Sequence, residues 1–115
     1  MIRINVSKDF SDVLGGRYYT DGKYSGQEFY ETILKDKFLQ AIKNKEKLEI
    51  NLDGTFGYPS SFIDESFGKL ARDFGEKIVQ TNLIFISEDQ PSLENVIRGY
   101  IRRGIIEVGD TDGLV

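Results

Sequence analysis

Residues 48–68 read LEINLDGTFGYPSSFIDESFG, and the change from strand to helix that organises the fold lies within them. Apolar side chains alternate with polar ones from Leu48 to Leu52, which is the period of a strand with one buried face. This pattern ends at the turn-forming pair Asp53-Gly54. From Ser60 onward, apolar residues recur every three or four positions, which is the spacing of an amphipathic helix. We therefore predict a strand, a loop and a helix in this part of the chain.

The flanking segments carry the same two patterns. Residues 25–28 form a capping box that predicts a helix start. The continuous apolar run within residues 82–87 predicts a strand that is covered on both faces and therefore central in the sheet. The predicted strands are residues 2–6, 17–20, 48–52, 82–87 and 105–108, and the predicted helices cover residues 26–44, Ser60 to Gly75 and Pro91 to Gly104. We predict a single α/β domain, residues 1–108, with a mixed sheet of about four to five strands covered by about three helices, and a flexible C-terminal tail at residues 109–115.

The composition excludes several classes of function. The chain has 115 residues and contains neither cysteine nor histidine, so disulfides, thiolate zinc sites and imidazole-dependent catalysis are ruled out. Its net charge of −4 disfavours nucleic acid and anionic membranes as partners. We found no apolar run long enough to span a membrane and no secretion signal pattern at the start, and we therefore expect a cytoplasmic protein.

Two stretches resemble a known family: GRYYTDGKYSGQEF at residues 16–29 and LDGTFGYPSSFIDESFG at residues 52–68. They resemble the bacterial STAS-like domain of unknown function (DUF4325). That family is similar to the STAS domains of anti-sigma-factor antagonists, in which a kinase phosphorylates one serine of an Asp-Ser-Ser-Gly motif at a helix start. The nearest match here is the segment 59–62, where Pro59 and Phe62 stand at the acidic and glycine positions.

The resemblance implies a non-catalytic regulatory module that binds a protein partner without a cofactor or metal. It makes Ser60 and Ser61 the candidate phosphoacceptors, because a phosphate at a helix N-terminus meets unpaired amides. It also suggests a histidine-kinase-type ATPase as the partner class. We expect the partner to contact Arg17, Lys23, Tyr58, Ser60, Ser61, Asp64, Glu65 and Lys69.

Four alternative interpretations remain open from the sequence. Ser60 and Ser61 are also good residues for helix capping alone. Asp53, Asp64 and Glu65 flank one loop and could bind magnesium in a hydrolase or nuclease. The glycine-rich loop at residues 15–23, together with Arg17 and the helix start at Ser25, could bind a nucleotide or a small anion. The last cluster, formed by Arg98, Arg102 and Arg103, fits solvated charge at a helix end or contact with an acidic partner or a phosphate. The sequence does not indicate an oligomeric state.

Overall fold

The sheet has all of its strands parallel and in chain order. The computed structural model describes the backbone of residues 1–113 and the side chains of residues 1–103. Within these residues there are three strands, arranged β1-β2-β3. They are β1 (Ile2–Asn5), β2 (Leu48–Asn51) and β3 (Leu83–Ile86). Ile4 lies beside Ile50, and Ile50 lies beside Phe85, so the central strand is β2.

Helices make every connection between these strands. Two of them contain a π-helical turn in the middle and are each treated as one helix. The described helices are α1 (Val6–Asp9), α2 (residues 26–43, comprising Gly26–Phe29, the π turn Tyr30–Leu34 and Lys35–Lys43), α3 (residues 60–74, comprising Ser60–Ile63, the π turn Asp64–Gly68 and Lys69–Phe74), α4 (Glu76–Asn82) and α5 (Leu93–Gly113). None of them combines the length and apolar character that a membrane span requires.

One face of the sheet is buried under the helices. Ile50 on β2 and Leu83 on β3 are almost fully buried, whereas the adjacent residues Glu49 and Ile84 on the same strands remain partly exposed. Crossover connections between parallel strands are right-handed. Because β1, β2 and β3 follow one another in order across the sheet, both of their crossovers place helices on the same face of the sheet. A core of aromatic rings lies between the two layers, and Phe67 of α3 packs edge-on against Phe85 with ring centroids 5.6 Å apart.

The strand predicted at residues 17–20 is wrong. A short 3₁₀ turn, Tyr19–Asp21, occupies the second half of this segment. The amide of Tyr18 donates to the carboxylate of Asp21, and the amide of Tyr19 donates to the side chain of Gln27. Because side chains accept these donors, the aromatic residues form a compact loop and join no sheet.

The sheet also differs from the prediction in the direction and the number of its strands. It is parallel where a mixed sheet was expected, and it has three strands in the described residues where about four to five were predicted. β3 lies at an edge, so its apolar run does not mark a central strand.

The prediction of a strand at residues 105–108 is wrong. These residues are part of α5, which continues past Gly104. Glycine lowers helix stability by only about 1 kcal/mol, which does not by itself end a helix. The tail predicted at residues 109–115 lies partly outside the described residues, which end at residue 113.

Candidate functional site

The candidate site lies at the start of α3, after the loop that leaves β2. Loops that follow parallel strands share the carboxyl edge of the sheet, where α/β domains commonly bind their ligands. Ser60 is exposed there and Ser61 is half-buried. Pro59 is the cap residue, and the first helical hydrogen bond runs from the amide of Ile63 to the carbonyl of Pro59. Both hydroxyl groups are therefore placed at the amino end of the helix.

No side chain caps this helix start within the described part of the chain. Ser60 is the first helical residue, one position too late to act as the cap, so the interpretation of these serines as capping residues alone is not supported. We also found no hydrogen bond from the amides of Ser60 and Ser61 to another described residue. The amino end of α3 is thus open to an anionic group.

The start of α2 is closed by comparison. Ser25 is fully buried, and its hydroxyl accepts from the amide of Glu28 at 3.0 Å, as the capping box predicted. The amide of Gly26 donates to the carbonyl of Gly16, and the amide of Gln27 donates to the carbonyl of Arg17. These bonds use the amides that an anion would need, so the loop at residues 15–23 gives no support to the nucleotide or anion site predicted there.

Ser60 opens into a small polar cleft. The space measures about 210 Å³ and is lined by Arg17, Ser60, Asp64, Tyr100 and Arg103. Arg17 comes from the loop before α2, and Tyr100 and Arg103 come from α5. The guanidinium of Arg103 stacks over the Tyr100 ring, 4.0 Å from its centroid. Two cationic side chains from distant parts of the sequence therefore line the cleft that contains the serine.

Asp64 joins this cleft to an ion-pair network. Its carboxylate accepts from Arg17 at 2.6 Å and from Arg72 at 3.1 Å. Glu65 lies 3.5 Å from Arg17 and 3.8 Å from Arg72. Burial alone would raise the pKa of Asp64, but the hydrogen bonds and charges of the two arginines outweigh it and hold the pKa below its usual range. Both carboxylates are thus engaged with cations of the same chain.

The three carboxylates predicted to bind magnesium do not come together. Asp53 accepts from the amides of Glu88 and Asp89 at 3.1 and 2.9 Å, which fastens the end of β2 to the loop after β3. Among the residues that the structure describes, there is no cluster of acidic side chains suited to a metal ion. The geometry therefore offers no support for a carboxylate-dependent hydrolase or nuclease.

An exposed aromatic side chain lies on the same edge. Phe56 is 84% exposed, and its amide donates to the carbonyl of Asp12 at 2.9 Å. Its ring borders an apolar groove of about 320 Å³, which Val13, Leu14, Gly57, Tyr58 and Pro59 complete. The Tyr58 hydroxyl donates inward to the carbonyl of Leu52, and burial raises its pKa. The loop thus holds a fixed backbone while it presents Phe56 to solvent.

Comparison with known families identifies the domain. A family model described as a STAS-like domain of unknown function (DUF4325) matches residues 25–93, more than half of the chain. The chain belongs to this STAS-like family. Neither a search of curated proteins nor one of solved structures found a match. The matched span of the STAS-like domain includes Ser60 and Phe56, whereas Arg17 and Arg103 lie outside it.

The structure brings together part of the predicted contact surface of the STAS-like domain. Arg17, Ser60 and Asp64 share the cleft. Glu65 is only 9% exposed and faces the two arginines, so it belongs to the ion-pair network and offers a partner little surface. Lys69 lies further along α3, 3.7 Å from Asp73. Lys23 is exposed in the loop before α2.

The sequence did not separate the arginines of the basic cluster. It left open whether Arg103 is solvated charge at a helix end or contacts an acidic partner or a phosphate, and the structure places Arg103 in the serine cleft because α5 packs against α3. Arg98, taken as part of the same basic cluster, instead bonds to Glu94 and to the carbonyl of Leu83. No local pattern separates these two arginines, because the difference arises from how α5 lies on the rest of the domain.

Proposed function

We propose that this STAS-like domain is a regulatory module that binds a protein partner and carries its phosphoacceptor at Ser60. The observation that supports this most directly is the placement of Ser60, which is exposed at an uncapped helix start and opens into a cleft with two arginines. A phosphate there would gain helix amides and guanidinium groups as hydrogen-bond donors.

Ser60 is the better acceptor of the two serines. A kinase must reach the hydroxyl oxygen, and Ser60 is exposed whereas Ser61 is half-buried. In the transfer, the Ser60 oxygen would form a bond to the γ-phosphorus of ATP as the bond to the leaving ADP oxygen breaks, and the hydroxyl proton would pass to a base of the kinase. Ser61 remains the second candidate.

We further propose that the partner docks on the exposed apolar surface beside the serine. Phe56 and Val13 are 84% and 54% exposed, and they border the groove that ends at Pro59, the residue before Ser60. Aromatic side chains held in fixed positions commonly carry much of the binding energy of an interface. The proposed partner class is a histidine-kinase-type ATPase, which would contact this surface while it transfers phosphate.

The acceptor is tested by phosphorylation of purified variants. The wild-type domain, Ser60→Ala and Ser61→Ala are incubated with ATP and a histidine-kinase-type ATPase from the same organism, and intact masses are measured. We expect one added phosphate on the wild type and on Ser61→Ala and none on Ser60→Ala. A wild-type domain that stays unmodified, or a Ser60→Ala variant modified as fully as the wild type, would contradict the proposal.

Docking is tested with Phe56→Ala and calorimetric titration against the same ATPase. Because the ring is 84% exposed, its removal should leave the melting temperature unchanged while affinity falls at least about tenfold, as expected for an interface anchor. Leu39→Ala serves as the matched control, because Leu39 is an exposed apolar residue of α2, 42% exposed. Equal affinity of Phe56→Ala and Leu39→Ala would refute this docking surface.

A further inference from the structure

Helix α5 reaches the serine cleft from outside the matched family span. Ile97 and Ile101 of this helix are fully buried, which fixes one side of α5 in the core near α3. Tyr100 and Arg103 then line the cleft that contains Ser60. The cleft is therefore a junction of three segments: the start of α3, the loop that carries Arg17, and α5.

Arg17 retains capacity to bind a further acceptor. One of its terminal nitrogens donates to Asp64 at 2.6 Å, and its side chain is 33% exposed. A guanidinium has five N–H donors arranged in a rigid fork, so a single carboxylate oxygen does not use all of them. Arg17 is thus positioned by Asp64 while part of its fork remains accessible from the cleft.

The cleft also has the volume and charge for a phosphate. Its volume of about 210 Å³ corresponds to several water molecules, each of which occupies about 30 Å³ in the liquid. Among the described side chains, Arg17 and Arg72 pair with the carboxylates of Asp64 and Glu65. Arg103 lines the same cleft, so the three arginines exceed the two carboxylates by one positive charge. A phosphoserine carries a charge of about −1.5 to −2 at neutral pH and would find this excess beside it.

We propose that a phosphate on Ser60 is bound within the same chain by Arg17 and Arg103, and that this bond fastens α5 to α3. The proposal rests on the proposed function in taking Ser60 as the acceptor, and it adds a receptor for the phosphate. The phosphoryl group then acts as a cross-link between segments far apart in the sequence. Modification changes the attachment of α5 as well as the charge of the docking surface.

The test installs phosphoserine at position 60 during translation, by genetic code expansion, so that no kinase is needed. Phosphorus NMR then follows the titration of the phosphate, whose second pKa is about 6 when it is exposed. Two neighbouring guanidinium groups should lower it by about 1 unit or more. Hydrogen exchange is measured in parallel at the amides of residues 97–103, which should exchange more slowly in the phosphorylated domain.

Arg103→Gln is the decisive variant, and Arg102→Gln is its matched control. Arg102 precedes it on the same helix and is also exposed, but it does not line the cleft. We expect Arg103→Gln to return the phosphate pKa toward about 6 and to abolish the slowed exchange, and Arg102→Gln to do neither. The melting temperature of unmodified Arg103→Gln verifies that the variant folds.

A phosphate that titrates as in an exposed peptide, or one that responds equally to the two variants, would overturn the internal receptor. Failure of the ATPase to modify Ser60 would instead count against the proposed function alone. The two proposals can therefore fail separately.

Discussion

Asp64 is the residue that holds the site together. Its carboxylate accepts hydrogen bonds from Arg17 in a loop and from Arg72, about two turns further along the same helix, and its side chain is only 17% exposed. Without its carboxylate, the two guanidinium groups would keep only the more distant carboxylate of Glu65 as a counter-charge in a half-buried space. Removing such a partner leaves a partly buried charge without its counter-charge. The resulting loss of stability is larger than the loss on removing one member of an exposed surface ion pair.

Asp64→Asn should lower the free energy of unfolding by about 1.5–3 kcal/mol near neutral pH, because it removes the charge that binds both arginines. The folded pKa of Asp64 lies below its unfolded value of about 3.9. Its contribution is therefore fully present above that value and is lost as the pH falls through the folded pKa. Urea unfolding of both proteins at about pH 6 and about pH 3 should show the difference shrinking at the lower pH.

Asp36→Asn is the control for this experiment. Asp36 is exposed on α2, and substitutions at such positions usually change stability by about 0.5 kcal/mol or less. A difference between wild type and Asp64→Asn that stays the same at both pH values would show that the carboxylate charge contributes little.

At the scale of the elements, the close approach of α2 and α3 depends on Gly26. A Cβ atom at this position would lie 2.6 Å from the carbonyl oxygen of Phe62 and 3.1 Å from its Cα. These atoms belong to the backbone of α3 and cannot move aside as a flexible side chain can. The stacked rings of Phe29 and Phe62, 5.6 Å apart, fix the same crossing.

Gly26→Ala should therefore destabilise the domain by about 1–3 kcal/mol, because the added methyl group forces the two helices apart. Gly99→Ala is the matched variant in α5, where an added Cβ meets nothing within 4 Å. There alanine should stabilise the helix by about 0.5–1 kcal/mol. Thermal and urea unfolding measure both changes, and a loss of stability at both positions would show that the effect does not come from the contact with Phe62.

At the scale of the whole molecule, the sheet has one face under the helices and one that remains partly exposed. Phe85 of β3 points into the core and is 8% exposed, whereas Ile84 on the same strand is half-exposed on the outer face. Most parallel sheets are covered on both faces. The outer face of this one therefore provides a direct test of the layer arrangement.

Phe85→Ala should cost about 3–5 kcal/mol, as expected for a buried aromatic ring, and Ile84→Thr should cost about 1 kcal/mol or less. Urea unfolding gives both values. If Ile84→Thr were as costly as Phe85→Ala, the outer face would have to be covered. Sedimentation of the wild type would then show whether a second copy of the chain covers it.

Local patterns predicted the elements better than their assembly. The spacing of apolar residues and the capping box at Ser25 placed the start of α2 and the strand at Leu48 correctly. They could not show that β3 lies at the edge, because an apolar run does not reveal whether a neighbouring strand exists. Residues 105–108 suit a strand by composition, yet they continue the helix that Ile97 and Ile101 anchor in the core.

For the candidate site too, local patterns predicted the helix start but not the contacts between distant segments. The sequence predicted a helix beginning at Ser60, and the structure confirms it with an exposed hydroxyl. The capping interpretation failed because Pro59 takes the cap position. The convergence of Arg17 and Arg103 depends on how the loop before α2 and helix α5 pack against the start of α3. The two arginines are 86 positions apart, so no local sequence pattern indicates that they line one cleft.

The loop that presents Phe56 has a kinetic consequence. Its backbone is tied to Asp12 and, through Gly54, to Asp89, so the aromatic ring is offered on a surface whose shape exists before any encounter. Binding therefore requires little ordering of this loop. We expect complex formation to be a single bimolecular step whose observed rate rises linearly with partner concentration. The lifetime of the complex, more than the speed of its formation, would be where regulation acts.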